Sequence, residues 1–323
     1  MKRTATFSSL DNDDQKCDLS SVLSNKYEQL RALLRSYGSC LVAYSGGVDS
    51  VLLAFVAHDV LGGRSLAAIA DSPSLPRREL EEALAIGKQF HFPVRVIQTR
   101  EFQNPEYLAN PSNRCYFCKH ELFTELAPLA KAEAFAVLAY GENASDTGDY
   151  RPGAQAAAQF EVRAPLKEAG LTKAEIRELS AQLGLPTADK AQMACLSSRI
   201  PYGEAVTEAK LKMIDQAENI LRDLGFYDVR VRHHELAESS KLQVADSAPP
   251  SAVPKAATSN PQSSTARHLA RIEVGVAELP KFLENRISIK VTDALKKIGY
   301  AHVTLDLQGY RRGSTNEVLK PGK

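Results

Sequence analysis

The chain has 323 residues, 44% of them hydrophobic and 24% charged, which reads as a soluble globular protein long enough for two domains. Forty Lys+Arg against thirty-nine Asp+Glu leave a net charge of +1, which argues against a dedicated nucleic-acid binder. No apolar run reaches the roughly 18 residues a membrane span needs, and the polar stretch from Met1 to Asp14 lacks the apolar core of a signal peptide. Five cysteines, an odd number, do not make a disulfide scaffold; they point to a reducing, cytoplasmic setting with some thiols in metal or catalytic use.

Residues 1–20 read as a disordered tail. Leu23, Tyr27, Leu30, Leu34 and Tyr37 recur at three- and four-residue steps, so a helix is expected over 22–37, closed by Gly38. Residues 40–44 read as a buried strand, 49–61 as a helix stopped by Gly62-Gly63, 66–70 as a second strand and 76–90 as a helix with Pro near its start. A third strand (94–97), a helix (115–132) and a fourth strand (135–139) follow. This alternation predicts an α/β fold, a parallel sheet with helices on both faces, and ligands at the carboxyl ends of its strands. The character changes after Leu185-Pro186. A loop to Gly203, a helix over 207–224, strands over 229–232 and 271–274, a helix over 279–298 and a strand over 302–307 predict a smaller α+β domain. The expected organisation is therefore a tail (1–20), a sheet domain (21–186) and a second domain (187–323). Of the 32 residues from 237 to 268, 20 are Ala, Ser, Pro or Thr. Such a segment buries too little apolar surface to offset its ordering entropy, and it reads as a disordered insertion between two adjacent strands.

Ser45-Gly46-Gly47-Val48-Asp49-Ser50 follows a predicted strand and opens a predicted helix. The glycines admit an anion close to the backbone, the helix start presents amides, and Ser45 and Ser50 add hydroxyls. The ending Gly-Lys-Ser/Thr of a Walker loop is missing. The bland reading is a Gly-Gly turn with ordinary capping residues, which the coincidence of strand, glycines and helix makes the weaker one.

This hexapeptide resembles the PP-loop of the N-type ATP pyrophosphatases, and the rest of the chain resembles one branch of them, the LarE family. The resemblance is carried by Gly141-Glu-Asn-Ala-Ser-Asp-Thr-Gly-Asp-Tyr-Arg-Pro-Gly153, Ala194-Cys-Leu-Ser-Ser-Arg-Ile-Pro-Tyr-Gly203 and Val229-Arg-Val-Arg-His-His234. It implies an adenine nucleotide alpha hydrolase-like fold and an ATP-dependent sulfur transferase. Such an enzyme adenylates a carboxylate of pyridinium-3,5-biscarboxylic acid mononucleotide and converts it to a thiocarboxylate in nickel-pincer cofactor biosynthesis, with AMP and pyrophosphate released. ATP-binding residues implied are Ser45, Gly46, Gly47, Asp49, Ser50, Lys119 and Asn143, with Mg2+ as cofactor and Asp49 as a candidate ligand. Substrate-binding residues implied are Ser198, Arg199, Glu218, Arg230 and Arg232. The chemistry agrees: adenylation turns a carboxylate oxygen into a leaving group, and the charge on the phosphates asks for the cradle, Mg2+ and basic side chains. Arginines suit a substrate bearing phosphate and carboxylate, and Arg230 and Arg232 share one strand face. Read without the resemblance, that pair is a solvated strand face, and Glu218 is a solvated helix position.

Cys195 lies in a polar loop beside Ser197, Ser198 and Arg199. The matching cysteine of the family is the sulfur donor, and some members sacrifice it. This chain adds Arg114-Cys115-Tyr-Phe-Cys118-Lys119. C-x-x-C alone is compatible with zinc, redox chemistry or packing; zinc would call on His120 or His233 as a fourth ligand. With Cys195 it makes three thiols, enough to hold a 4Fe–4S cluster with one open iron, as in the three-cysteine members it resembles. Lys119 and Arg199 are expected to lower the thiol pKa values. Cys17 and Cys40 read as structural or incidental. Asn143, Asp146 and Asp149 are placed for nucleotide or metal contacts after the fourth strand, or serve as turn residues, and Asp49 is an alternative helix cap.

The partners expected are a small nucleotide substrate and nickel-pincer pathway proteins that take over the product, with a homo-oligomeric assembly and neither membrane nor nucleic acid. Competing readings are a tRNA thiolase, an amidating ligase of the GMP or NAD synthetase kind, and a non-catalytic ATP-binding accessory protein.

Overall fold

A computed structural model describes residues 21–146, 152–191, 194–236 and 267–311. Cys17, Asp149 and nearly all of the expected insertion lie outside the described residues. The described chain falls into two compact units that interleave along the sequence. One comprises 21–70, 80–97 and 122–191; the other comprises 71–79, 98–121, 194–236 and 267–311.

The first unit begins with α1 (Ser21–Tyr37), whose buried Leu23, Leu30, Leu34 and Tyr37 form the expected apolar stripe. Gly38 ends it at φ +73°, a backbone conformation suited to glycine. All five residues of β1 (Cys40–Tyr44) are buried, the continuous apolar run of a central parallel strand, and burial pushes the Cys40 thiol up to about 12. Along the chain come α2 (Val48–Leu61), β2 (Ser65–Asp71), α3 (Arg77–Gln89), β3 (Val94–Gln98), α4 (Pro105–Leu108), α5 (Arg114–Ala132) and β4 (Val137–Tyr140), of which α4 and α5 up to Glu121 belong to the second unit. The sheet is parallel with strand order β3-β2-β1-β4, and Arg163 adds a parallel bridge to Ala139 on the β4 edge. The chain winds outward from β1 through β2 to β3, then returns to the other side of β1 as β4. The carboxyl ends of β1 and β4 therefore form the switch point at which ligands of such sheets bind. Three further helices, α6 (Pro152–Gln159), α7 (Pro165–Glu168) and α8 (Lys173–Gln182), fill a stretch that the sequence reading leaves unassigned. The start of α8 carries a legible signal. Thr172 and Glu175 cap each other's backbone amides in a capping box.

In the second unit, Asn104 caps α4 by accepting from the Glu106 amide. Tyr107 of α4 packs with Leu196, Ile200, Val206, Leu211 and Ile214, and Phe117 and Cys118 of α5 join that cluster. Helix α9 (Glu208–Asp223), capped by Thr207, packs on a three-stranded sheet of order β5-β6-β7. Strand β5 (Val229–Leu236) runs antiparallel to β6 (Arg267–Val274), and β6 runs parallel to β7 (Tyr300–Leu305) across the helix α10 (Ile287–Ile298). Two sequence expectations change here. β5 and β6 extend to Leu236 and Arg267, so residues 267 and 268 belong to the sheet rather than to an insertion. The single helix expected over 279–298 is two elements, a 3-10 segment over Val276–Leu283 and α10. Pro280 lacks the amide an α-helix needs there, and Asn285 and Arg286 both take positive φ, 46° and 59°, which no helix can carry through. Among the described residues no helix is long and apolar enough to cross a membrane.

Candidate functional site

The phosphate cradle is built where β1 runs into α2. Gly46 sits at φ +72° and Gly47 is the N-cap of α2, with no side chain to satisfy the first helical amides. Ser50, buried, ties the loop together. Its Oγ accepts from the Ser45 amide (3.1 Å), lies 3.1 Å from Ser45 Oγ and donates to the Gly47 carbonyl (3.1 Å). Ser45 itself is exposed. Gly47 has φ −81°, which any residue adopts, and a Cβ built on it would meet only Ser45 Oγ at 3.5 Å. The fold alone does not require glycine there; an approaching anion does.

Across the switch point, Gly141 follows β4. A Cβ on Gly141 would press to 3.0 Å from the Ser50 amide and 3.2 Å from Asp49, so the β4 loop lies against the first turn of α2 only because this residue has no side chain. Asn143, buried, donates from Nδ2 to Asp49 Oδ1 at 3.2 Å, and its own Oδ1 accepts from Ser145. Asp146 accepts from the Asn143 amide, so turn chemistry accounts for both residues. Asp49 does not cap its helix. Its Oδ2 pairs with Lys173 Nζ at 2.5 Å. Lys173 is the residue that sequence reasoning misses here; the signal was the Thr172–Glu175 capping box, which places a lysine at the first position of a helix. The cradle thus gathers a helix N-terminus and an ammonium group around two glycines, a setting for polyphosphate.

The sulfur residues lie in the second unit. Arg114, the first residue of α5, is buried. Its Nη1 donates to Asn110 Oδ1 and to the Ser197 carbonyl (2.9 Å), and its Nη2 makes a long bond, 4.0 Å, to Cys195 Sγ. Arg114 also acts electrostatically on Cys115 and Cys118. Of the three thiols singled out in the sequence, Cys195 touches the guanidinium, and Cys115 and Cys118 lie close enough to feel its charge. The expectation that cations lower their pKa values fails for two of them. Burial, then repulsion from Cys195, pushes Cys118 up, and the same two causes push Cys115 up against the opposing pull of Arg114 and Lys119, although Cys115 reaches the surface. Lys119, expected at the nucleotide, is placed beside Cys115. Among the described residues no three His, Cys, Asp or Glu side chains stand where they would hold a metal ion.

Arg199 and Glu218 are both fully buried and paired, Nε to Oε1 at 2.8 Å and Nη2 to Oε2 at 3.0 Å. Arg199 Nη1 donates to the carbonyls of Ala194 (2.6 Å) and Cys195 (3.0 Å) and to Ser198 Oγ, so it clamps the Cys195 loop. Glu218 also accepts from Arg222 and from the Val231 amide. Burial pushes the Glu218 carboxyl up, but Arg199 and then Arg222 outweigh it and hold it below the usual range. Arg232 pairs with buried Glu273 and donates to the Ser198 carbonyl at 2.9 Å. Arg230 lies 4.7 Å over the Tyr310 ring, and burial, followed by repulsion from Arg199, lowers its pKa. Neither arginine is the solvated strand face of the bland reading; both are buried. Removing Glu218 should be costly. Glu218→Ala leaves Arg199 buried without its carboxylate and should destabilise the protein by roughly 3–5 kcal/mol, seen as a lowered midpoint in chemical denaturation. A variant of normal stability with lost substrate binding would mark Glu218 as a ligand residue instead.

No protein-family model matches the sequence. An uncharacterized protein of Synechocystis sp. is 41% identical over 298 residues, covering 92% of this chain and 99% of that one. The pyridinium-3,5-bisthiocarboxylic acid mononucleotide synthase of Lactiplantibacillus plantarum is 29% identical over 300 residues, covering 93% of this chain and 96% of its own length. A glutamine-hydrolyzing GMP synthase of Crocosphaera subtropica is 28% identical over 231 residues, 60% of this chain and 41% of that enzyme. With a cradle at the sheet's switch point, similarity over nearly the full length of the first two relatives and a partial match to the third, the chain belongs to the LarE family of the PP-loop superfamily.

Proposed function

We propose that the protein is an ATP-dependent sulfur transferase that adenylates a carboxylate of pyridinium-3,5-biscarboxylic acid mononucleotide and replaces the activated oxygen with sulfur, releasing AMP and pyrophosphate. The observation that carries this reading is Cys195 against the buried Arg114 guanidinium, with Cys115 and Cys118 within reach of the same charge, in a chain that also holds an anion cradle. The similarity to a bisthiocarboxylic acid mononucleotide synthase supports the substrate class. The similarity to GMP synthase supports the ATP-using half of the reaction and leaves the nucleophile open; thiols favour sulfur over ammonia.

In the first half-reaction the amides at the start of α2 and the Lys173 ammonium face the departing pyrophosphate and stabilise its charge. Asp49 orients Lys173. Because that carboxylate is already neutralised by Lys173 and bonded to Asn143, it does not fit a magnesium ligand in this arrangement, and no step is assigned to the ion at Asp49. In the second half-reaction Arg199 holds the Cys195 backbone in place, and Arg230 and Arg232 supply positive charge for a substrate phosphate. Thiols are the donors a 4Fe–4S cluster takes, and Cys115, Cys118 and Cys195 would hold it. When bound, such a cluster supplies an open iron able to carry sulfur. Cys118, half-buried and pushed toward the neutral thiol, suits a ligand that ionises on loading better than a free nucleophile.

The test is an anaerobic incubation of the full chain with ATP, the dicarboxylate mononucleotide and sulfide. Mass spectrometry should show an oxygen-for-sulfur exchange in the substrate, matched by AMP. Product formed with ammonia and not with sulfide would replace this reading with an amidating ligase.

A further inference from the structure

Arg114 is a buried cation held in an unusual way. It is 3% exposed, and among the described residues no carboxylate pairs with it. Asn110 Oδ1 and the Ser197 carbonyl fix one edge of the guanidinium through Nη1. Asn110 is itself immobilised, donating to the carbonyls of Ile200, Pro201 and Glu204. The plane of the fork is therefore set by two neutral acceptors, and what remains of it is turned to sulfur, with Nη2 at 4.0 Å from Cys195 Sγ. A buried charge without a counter-ion is costly, and the open edge of the fork faces the Cys195 sulfur.

We infer that Arg114 is a positioning residue for the sulfur chemistry: its fixed guanidinium donates to the Cys195 sulfur and keeps it at one point in the loop. This rests on the reading of Cys195 as the residue that handles sulfur. It assigns to the Arg of Arg-Cys-x-x-Cys a task separate from that of the two cysteines it precedes. Burial would lower the Arg114 pKa, but Cys195 and then Cys115 outweigh it and raise it, in keeping with a permanent cation facing sulfur.

The test compares two alkylating reagents on the iron-free full chain. Iodoacetate is negatively charged and iodoacetamide is neutral, and both consume the same thiolate. Their rate ratio at one cysteine is therefore independent of how much thiolate is present and reports the local charge. Peptide mass spectrometry resolves Cys195 from Cys115. At low salt the ratio at Cys195 should exceed that of the urea-unfolded chain by about fivefold, the effect of one unit charge at this distance in a water-like medium, and should shrink as salt is added. Arg114→Met and Arg114→Gln should bring the ratio down to the unfolded value, and Arg114→Lys should restore most of it. An unchanged ratio in a folded Met or Gln variant overturns the inference. If neither variant folds, the wild-type comparison decides, since equal folded and unfolded ratios overturn it as well. Loss of sulfur transfer in the wild-type assay with a raised ratio would count against the proposed function and not against Arg114.

Discussion

Cys195→Ala should abolish thiocarboxylate formation while ATP-dependent AMP release continues. The thiols and the cradle belong to separate compact units, and an acyl adenylate formed at the cradle is still open to water. Chromatography of nucleotides and mass spectrometry of the substrate measure the two halves separately. Cys115→Ala and Cys118→Ala carry the mechanistic information. If the three thiols hold a cluster, each change should lower product below detection and deplete iron from about four per chain, the stoichiometry of a 4Fe–4S centre, in anaerobically reconstituted protein. If Cys195 instead gives up its own sulfur, the Cys115 and Cys118 variants should keep a single turnover. Intact-protein mass spectrometry should then find Cys195 converted to dehydroalanine. Full sulfur transfer by Cys195→Ala would remove both mechanisms together.

The second large effect is expected at the cradle. Gly47→Val should reduce AMP formation by at least about 100-fold, the scale of losing preorganised donors at a developing charge, with little change in melting temperature. The reason is geometric. Gly47 has an ordinary negative φ and room for a Cβ, so a side chain there costs the fold little and intrudes on the approach of an anion to the loop amides. Gly46→Ala is a different experiment. At φ +72° it also strains the backbone by roughly 1–2 kcal/mol, so a drop in stability accompanies its loss of activity. Asp49→Ala should resemble Gly47→Val in activity, because it releases Lys173 from the position held by the 2.5 Å pair. Unimpaired AMP formation in Gly47→Val would contradict the assignment of this loop to phosphate.

Several features of the molecule were legible in the residues alone because they depend on neighbours in sequence. Strand β1 is apolar throughout, α1 repeats its leucines at helical steps, and the two glycines of the cradle sit between a strand and a helix; each is a local pattern that backbone geometry converts directly into an element. What failed locally failed for a stated reason: the helix expected over 279–298 has the right apolar spacing, but Pro280 and the left-handed pair Asn285-Arg286 break it.

Other features were decided only by tertiary structure. Cys115 and Cys118 precede the end of the sheet domain in sequence, yet residues 98–121 fold into the unit that contains Cys195. Nothing in the spacing of the cysteines shows this, because it follows from Tyr107, Phe117 and Cys118 burying their surfaces against Leu196, Ile200 and α9. The partners of the charged residues belong to the same class. Asp49 with Lys173, Arg199 with Glu218 and Arg232 with Glu273 are separated by 124, 19 and 41 positions. A sequence shows that each residue carries a charge, but whether that charge faces solvent, a ligand or an opposite charge depends on which distant segment the hydrophobic cores bring beside it.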